Sequence, residues 1–206
     1  FPYVGAYGPS ILHDKFGFSL NLPDVSGNLS FWDWVKAYVT NGPRIAGLIP
    51  LASLVFTPIF GAFVDRKGKA ASMMFLGSVL LIFAHVSLTF FDITALTYLA
   101  LICLGAAFSL VPAAMWPSVA KIVPESRLGT AYATMYTVQN WGLALFYWLP
   151  GQLLENTDSD YTVAFAPFVI LGVISIACAI QLRRSDRKYG YGLELPSGEL
   201  SPEVAS

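Results

Sequence analysis

The polar side chains that could bind a small molecule lie on one face of a long uncharged stretch. Thr137, Asn140 and Tyr147 are spaced at i, i+3 and i+10, which places them on one side of an α-helix. Tyr136 and Gln139 flank that face. Hydroxyl and amide groups in this pattern suit hydrogen bonds to a small polar solute. Because an unpaired amide is costly in hydrocarbon, we expect the face to meet other helices or water.

A second set of candidates surrounds two prolines. Trp116, Ser109 and Ser118 lie close to Pro112 and Pro117 in a run without charges. A proline inside a membrane helix frees backbone carbonyls, and irregular backbone of this kind can line a cavity. Aromatic rings would add apolar or cation-π walls to such a site. The alternative for any one polar residue is a hydrogen bond between two packed helices.

The sequence lacks the residue sets that enzymes and metal sites need. It has no H-E-x-x-H or G-x-S-x-G motif, and its long apolar stretches hold no carboxylate pair. Besides Tyr and Cys, His85 is the titratable side chain within those stretches, and we favour packing over proton transfer for it. Cys103 and Cys178 lack C-x-x-C or His spacing and are interpreted as small packing residues. We therefore predict no enzyme, no metal and no other cofactor.

One short segment concentrates charge. The five residues Asp65–Lys69 carry four charges and lie directly between two uncharged runs. Asp65 could lie against the positive amino-terminal end of another helix, although it could also only balance the neighbouring cations. Gly68 can supply a positive φ for a tight turn, and Gly61 permits a close helix contact.

Composition indicates that these residues are carried by helices in lipid. Of the 206 residues, 55% are hydrophobic and 12% are charged, with a mean hydropathy of +0.60, whereas a soluble domain carries about 25% charged residues. The net charge of −1 gives no basic surface for nucleic acid. A helix needs about 20 apolar residues to cross a bilayer. We predict an all-α polytopic bundle within residues 44–183, with five spans at about 45–64, 70–91, 95–120, 128–152 and 162–182.

The distribution of positive charge predicts the orientation. If the first span runs inward, nine of the twelve Lys and Arg residues are cytoplasmic, namely Arg66, Lys67, Lys69, Lys121, Arg127, Arg183, Arg184, Arg187 and Lys188. Such a bias is typical of cytoplasmic loops, so we place the carboxyl terminus inside. Residues 184–206 are polar and Gly/Pro-rich and are predicted to be a disordered cytoplasmic tail.

The segment before the first span is predicted to lie outside. Residues 1–7 are too few to span, and we expect them to be the end of a truncated transmembrane helix. Residues 8–43 form an extracytoplasmic loop. Within it, Ser30 and Asp33 resemble a capping box at the start of a short amphipathic helix. This helix could lie on the membrane surface or act as a partner-binding lid.

The charged segment resembles a known signature. The sequence GAFVDRKGK, residues 61–69, is similar to the G-x-x-x-D-R-x-G-R/K motif of the major facilitator superfamily, which follows the second helix of each six-helix half. The residues that match the motif are Gly61, Asp65, Arg66, Gly68 and Lys69. The resemblance covers residues 1–188 and implies one half of a twelve-helix transporter. A polar tail directly after the last span favours the carboxyl-terminal half.

The resemblance also implies a mechanism and partners. Residues 110–146 resemble the branch of the superfamily that contains a lysosomal dipeptide transporter and its bacterial relatives. By this resemblance two halves rock around a central site, with Asp65 and Arg66 acting as a cytoplasmic latch on the absent amino-terminal half and residues 126–129 receiving its counterpart. The implied partners are the lipid bilayer, that half, and a small-molecule substrate such as a dipeptide.

Two questions stay open at the level of sequence. A non-transporting membrane scaffold or receptor-like protein is the alternative function. Short cytoplasmic loops favour a bacterial inner membrane, with a lysosomal membrane as the second choice.

Overall fold

The computed structural model describes residues 2–21, 30–157 and 160–196, with side chains described from residue 7 onward. Over these ranges the chain forms eight α-helices and one 3-10 turn and contains no strand. The helices are α1 (Pro2–Phe16), α2 (Phe31–Val39), α3 (Gly42–Ala46), α4 (Leu48–Lys67), α5 (Ala70–Phe90), α6 (Thr94–Ile122), α7 (Leu128–Asn156) and α8 (Tyr161–Tyr189), and the 3-10 turn is Glu125–Arg127. The predicted all-α bundle is confirmed.

Four helical runs in the described ranges are long and apolar enough to cross a membrane. They are Gly42–Lys67, which joins α3 and α4, and then α5, α6 and α8. Helix α7 has 29 residues, which is long enough to span, but its middle carries polar side chains. The fifth span therefore stays a prediction that rests on its length.

Small residues bring the central helices together. Helix α6 packs between α4 and α5, and α5 also packs against α8. A Cβ at Gly105 of α6 would lie 2.6 Å from the carbonyl oxygen of Ile49 and 2.7 Å from Cβ of Ala52, both in α4. A Cβ at Gly77 of α5 would lie 2.7 Å from Val111 of α6. Since lipid provides no hydrophobic drive between helices, this close packing is what holds them together.

Hydroxyl groups join the same helices. The Ser109 hydroxyl in α6 lies 3.1 Å from the Ser53 hydroxyl and 3.1 Å from the Thr57 hydroxyl in α4. The Ser78 and Ser175 hydroxyls lie 2.6 Å apart and connect α5 to α8. Ser109, a candidate for the cavity near Pro112, thus serves as a contact between helices.

Helix α1 is longer than the sequence predicted. The predicted helix ends at residue 7, yet α1 contains Pro9 and continues to Phe16. Ile11 and Leu12 are buried in the bundle core, so packing outweighs the helix-breaking tendency of the proline. The loop predicted from residue 8 therefore begins at Gly17, which has a φ of 70°.

Lys15 anchors the carboxyl end of α1. Its ammonium group donates hydrogen bonds to the carbonyl of Leu88 at 2.8 Å and to that of Thr89, and it lies 3.5 Å from the Asp92 carboxylate. A cation at the carboxyl end of α5 also interacts favourably with the helix dipole. The contact ties α1 to α5.

Helix α2 occupies the segment expected to be amphipathic. The Ser30 hydroxyl accepts a hydrogen bond from the Trp32 amide at 3.4 Å, so Ser30 caps the helix. None of the α2 residues is buried, and Phe31 and Trp32 are 68% and 74% exposed.

The predicted disordered tail differs from the structure over residues 184–196. Helix α8 continues to Tyr189 and ends at Gly190, which has a φ of 67°. The following residues to Pro196 pack against the bundle, and Leu193 is fully buried. A Gly/Pro-rich composition indicates that a segment forms no hydrophobic core of its own. It does not show whether the segment packs against residues that are distant in sequence. The rest of that prediction, residues 197–206, lies outside the described ranges.

Candidate functional site

A cavity of about 590 Å³ lies where α7 approaches α5, α6 and α8. Its walls include Leu104, Ala107 and Val111 on the α6 side, with Trp116 and Gln139 among the polar or aromatic members. The described residues that line it include no Asp, Glu, Lys or Arg. A neutral, largely apolar site with a few polar groups is typical of small-molecule binding.

Trp116 joins α6 to α7. Its ring stacks on that of Tyr136, with centroids 4.7 Å apart and planes inclined by 26°. The Tyr132 hydroxyl donates a hydrogen bond to the Trp116 carbonyl at 3.1 Å. Trp116 directly precedes Pro117, within the part of α6 that contains two prolines. The structure therefore brings three sequence candidates together, Trp116, Tyr136 and Gln139.

Two other candidates bond to their own helix. The Thr137 hydroxyl donates to the Ala133 carbonyl at 2.9 Å, and the Asn140 amide nitrogen donates to the Tyr136 carbonyl at 2.8 Å. Both side chains are exposed. Neither forms a hydrogen bond to another helix in the described part of the chain.

Tyr147 and Ser118 complete the candidate set. The Tyr147 side chain is 45% exposed, and its backbone carbonyl accepts a hydrogen bond from the Tyr7 hydroxyl at 3.3 Å. The Ser118 hydroxyl is buried and donates to the Ala114 carbonyl at 2.7 Å. Tyr147 thus stays available to a ligand, whereas Ser118 is satisfied within α6.

A second cavity extends the gap between α6 and α7 toward the start of α7. It has a volume of about 610 Å³ and shares Thr134 and Met135 with the first cavity. Its other end reaches Arg127, in the segment expected to receive a latch motif. The two cavities form one groove along α7, from Gln139 to Arg127.

The residues of the predicted latch motif lie at the turn between α4 and α5. Asp65, Arg66 and Lys69 are exposed, whereas Gly68 is buried. Gly68 has a φ of 70°, as its place in the turn predicts, and Lys69 follows with a φ of 62°. A left-handed residue other than glycine is uncommon and requires support from its surroundings.

Gly61 has no close neighbour in the described ranges. A Cβ placed there would meet no atom within 4 Å. The close helix contact predicted for Gly61 is therefore not made within this part of the chain.

His85 is a packing residue. It is buried, its Nδ1 lies 2.8 Å from the Leu81 carbonyl oxygen, and its ring stacks on Phe168 with centroids 5.5 Å apart. Cys103 and Cys178 are free thiols. Within the described ranges no group of three His, Cys, Asp or Glu residues could hold a metal ion.

Comparison with protein families identifies the chain. A model of the Major Facilitator Superfamily matches residues 6–198, which is most of the sequence. The chain belongs to the Major Facilitator Superfamily. This match confirms the resemblance read from the glycine-and-charge motif at residues 61–69.

The relatives of this major facilitator chain include proteins named lysosomal dipeptide transporter MFSD1. The human protein is 29% identical over 186 residues, which cover 90% of this chain and 35% of the relative. The mouse protein is 30% identical over 162 residues, covering 77% and 34%, and the chicken protein is 33% identical over 135 residues, covering 64% and 30%. The chain thus spans about a third of the length of these relatives. No solved structure matches it.

Sequence reasoning missed some residues of the groove in this major facilitator chain. Thr134, Met135 and Val138 of α7 line it, together with Ser175 of α8. The spacing of Thr134 and Val138 at i and i+4 marks a second face of α7, next to the polar one. That spacing could have identified Thr134 and Val138 as lining residues from the sequence. The position of Ser175 in the groove depends on how α8 packs, which the sequence does not show.

Proposed function

We propose that this chain is the carboxyl-terminal half of a membrane transporter that moves small organic solutes by alternating access. Its partner is the amino-terminal half of the same transporter, and both are embedded in the lipid bilayer. Dipeptides are the first substrates to test, because the relatives named above are called dipeptide transporters.

The exposed polar face of α7 carries this proposal. Among the described residues of α7 only Pro150 is buried, although the helix is 29 residues long. Thr137 and Asn140 are exposed on it and bond to their own helix. Polar groups facing lipid are costly, so this face is best explained by a water-filled passage between two halves.

The groups on that face suit a peptide-like solute. Asn140 uses one amide N–H within α7, which leaves its carbonyl oxygen and second N–H for a ligand. Gln139 offers a second amide beside the cavity, and the stacked rings of Trp116 and Tyr136 provide a wall for an apolar side chain. Since the predicted spans of this half contain no Asp, Glu, Lys or Arg, the groups that neutralise charged peptide termini belong to the other half.

The exposed charges of the α4–α5 turn support a latch between the halves. Asp65, Arg66 and Lys69 are directed away from the core, and the open space at Gly61 leaves room for a helix of the partner half. Asp65 would then meet the positive end of that helix. On the same side, Arg127 at the end of the α6–α7 groove would meet the equivalent motif of the partner.

The orientation follows from the positive charges. Placing the basic α4–α5 turn in the cytoplasm puts the carboxyl terminus there as well. We favour a bacterial inner membrane and keep the lysosomal membrane, which the names of the relatives indicate, as the second choice.

Transport in proteoliposomes tests the proposal. The full-length transporter is reconstituted, and counterflow of a radiolabelled dipeptide is measured for the wild type and for Asn140→Ala. We expect the wild type to show counterflow and the variant to raise KM by about tenfold, because a hydrogen bond to the solute is lost. Asn156→Ala is the matched control, since Asn156 bonds to Gln152 of its own helix near the outer end of α7.

Two results would contradict the proposal. An unchanged KM in Asn140→Ala would exclude that residue from binding. Absence of counterflow for dipeptides, amino acids and other small solutes, combined with stable binding of a protein partner, would favour the scaffold or receptor function. The exposed aromatic residues of α2 would then be the first surface to examine.

A further inference from the structure

The segment after α8 folds back onto the α4–α5 turn. We propose that this segment, residues 190–196, is a strap whose Glu194 caps α5 and positions the latch. The capping role is independent of transport, and the positioning role rests on the proposed function. Glu194 is a positioning residue in this view, because it acts through the turn and does not contact the solute.

Backbone hydrogen bonds fix the strap on the start of α5. The Ala70 amide donates to the Leu193 carbonyl at 2.9 Å, and the Lys69 amide donates to the Glu194 carbonyl at 3.2 Å. These amides are among the first donors of α5, which have no partner within the helix itself. The strap therefore satisfies groups that the turn cannot satisfy alone.

The Glu194 carboxylate completes the cap. Its Oε1 accepts a hydrogen bond from the Ser72 amide at 2.8 Å, and its Oε2 accepts one from the Ser72 hydroxyl at 2.9 Å. Lys69, at the usual capping position, makes no side-chain capping bond. A carboxylate at a helix amino terminus is favoured by the dipole and by charge-assisted hydrogen bonds. Glu194 thus supplies the cap from 122 positions away in sequence.

Two further helices hold the strap in place. The Lys121 ammonium group, in the last turn of α6, donates to the carbonyls of Gly192 and Leu195, each at 2.8 Å. The Asp186 carboxylate of α8 accepts a hydrogen bond from the Leu193 amide at 2.9 Å. Leu193 itself is fully buried. The strap is therefore anchored on α5, α6 and α8 together.

Gly68 couples the strap to the latch motif. A Cβ at this position would lie 2.3 Å from the carbonyl carbon of Leu195 and 2.6 Å from the Glu194 carbonyl oxygen. The glycine of the motif thus gives room for the strap in addition to forming the turn. Because Asp65 and Arg66 lie in the last turn of α4, directly before this turn, a fixed turn also restricts the positions that their side chains can reach.

Hydrogen–deuterium exchange of the full-length transporter tests the cap. Glu194→Gln keeps the size of the side chain and removes its charge. We expect the amides of residues 69–72 to exchange about tenfold faster, while the middle of α5 stays unchanged. Glu125→Gln is the matched control, because Glu125 is an exposed cytoplasmic carboxylate in the turn before α7. Equal exchange at residues 69–72 in Glu194→Gln and wild type would overturn the cap.

A second variant guards against misfolding. Ser72→Ala removes the hydrogen bond that the Ser72 hydroxyl donates to the Glu194 carboxylate, which is one of the two bonds between these residues. Alanine is well tolerated in a helix. If the two residues act as one cap, the amides of residues 69–72 exchange about as fast in the double variant Glu194→Gln/Ser72→Ala as in Glu194→Gln alone. Fully additive effects would contradict a shared cap.

Transport kinetics test the positioning role. The strap residues do not line the α6–α7 groove, so Glu194→Gln should lower the maximal rate of dipeptide counterflow severalfold and leave KM unchanged. Faster exchange with unchanged rates would show a purely structural cap and overturn the positioning role. A wild type without any counterflow would refute the proposed function, whereas the exchange measurement would still decide the cap.

Discussion

The backbone conformations of Gly68 and Lys69 differ in how far they could be predicted from the sequence. The positive φ of Gly68 could be predicted, because a glycine among charged residues between two uncharged runs indicates a tight turn. The left-handed conformation of Lys69 could not, since it accompanies hydrogen bonds that the Lys69 and Ala70 amides donate to the strap. The same holds for Glu194, whose sequence position in a polar tail gives no sign of its contact with Ser72.

Asp65 allows a test of the latch at the same scale. Asp65→Asn keeps the shape of the side chain and removes its charge. A carboxylate at a helix amino terminus contributes about 0.3–1 kcal/mol, so we expect the balance between inward and outward states to shift by about two- to fivefold and the transport rate to fall. Counterflow rates in the full-length transporter measure this change.

Asp33→Asn is the control for that experiment, because Asp33 is an exposed carboxylate on α2, outside the turn. Equal transport rates in Asp65→Asn and wild type would remove the latch and leave Asp65 as a residue that only balances nearby cations.

At the scale of elements, the sequence predicted the middle of each helix better than its ends. Uncharged runs located α4 to α8. The end of α1 was wrong because Pro9 lies inside a helix that packing stabilises. The end of α8 was wrong because the helix continues through the charged residues after residue 182 to Tyr189.

The contact between α4 and α6 gives a prediction about stability. In Gly105→Leu, the new side chain would overlap the backbone of Ile49 and the side chain of Ala52. Overpacking of this kind costs about 1–3 kcal/mol, so the apparent melting temperature of the purified transporter should fall. Ala95→Leu is the control, because Ala95 is exposed near the start of α6. Equal melting temperatures for the two variants would contradict the observed packing.

For the molecule as a whole, the candidate site was only partly predictable. Helical spacing placed Thr137, Asn140 and Tyr147 on one face, and the structure shows that face exposed. The pairing of Trp116 with Tyr136 and the groove along α7 depend on how α6 and α7 approach each other, which spacing within one helix does not define. The side of the proposed passage that a partner half would form lies outside this chain.

The accessibility of position 140 tests the central claim, that the polar face of α7 lines a passage open alternately to the two sides of the membrane. In a full-length transporter whose native cysteines, including Cys103 and Cys178, are replaced by Ala, Asn140→Cys is labelled with a membrane-impermeant maleimide in right-side-out and inside-out vesicles. We predict labelling from both sides, and slower labelling when dipeptide is present. Absence of labelling from either side, with normal expression, would mean that this face meets lipid or protein and would contradict the account.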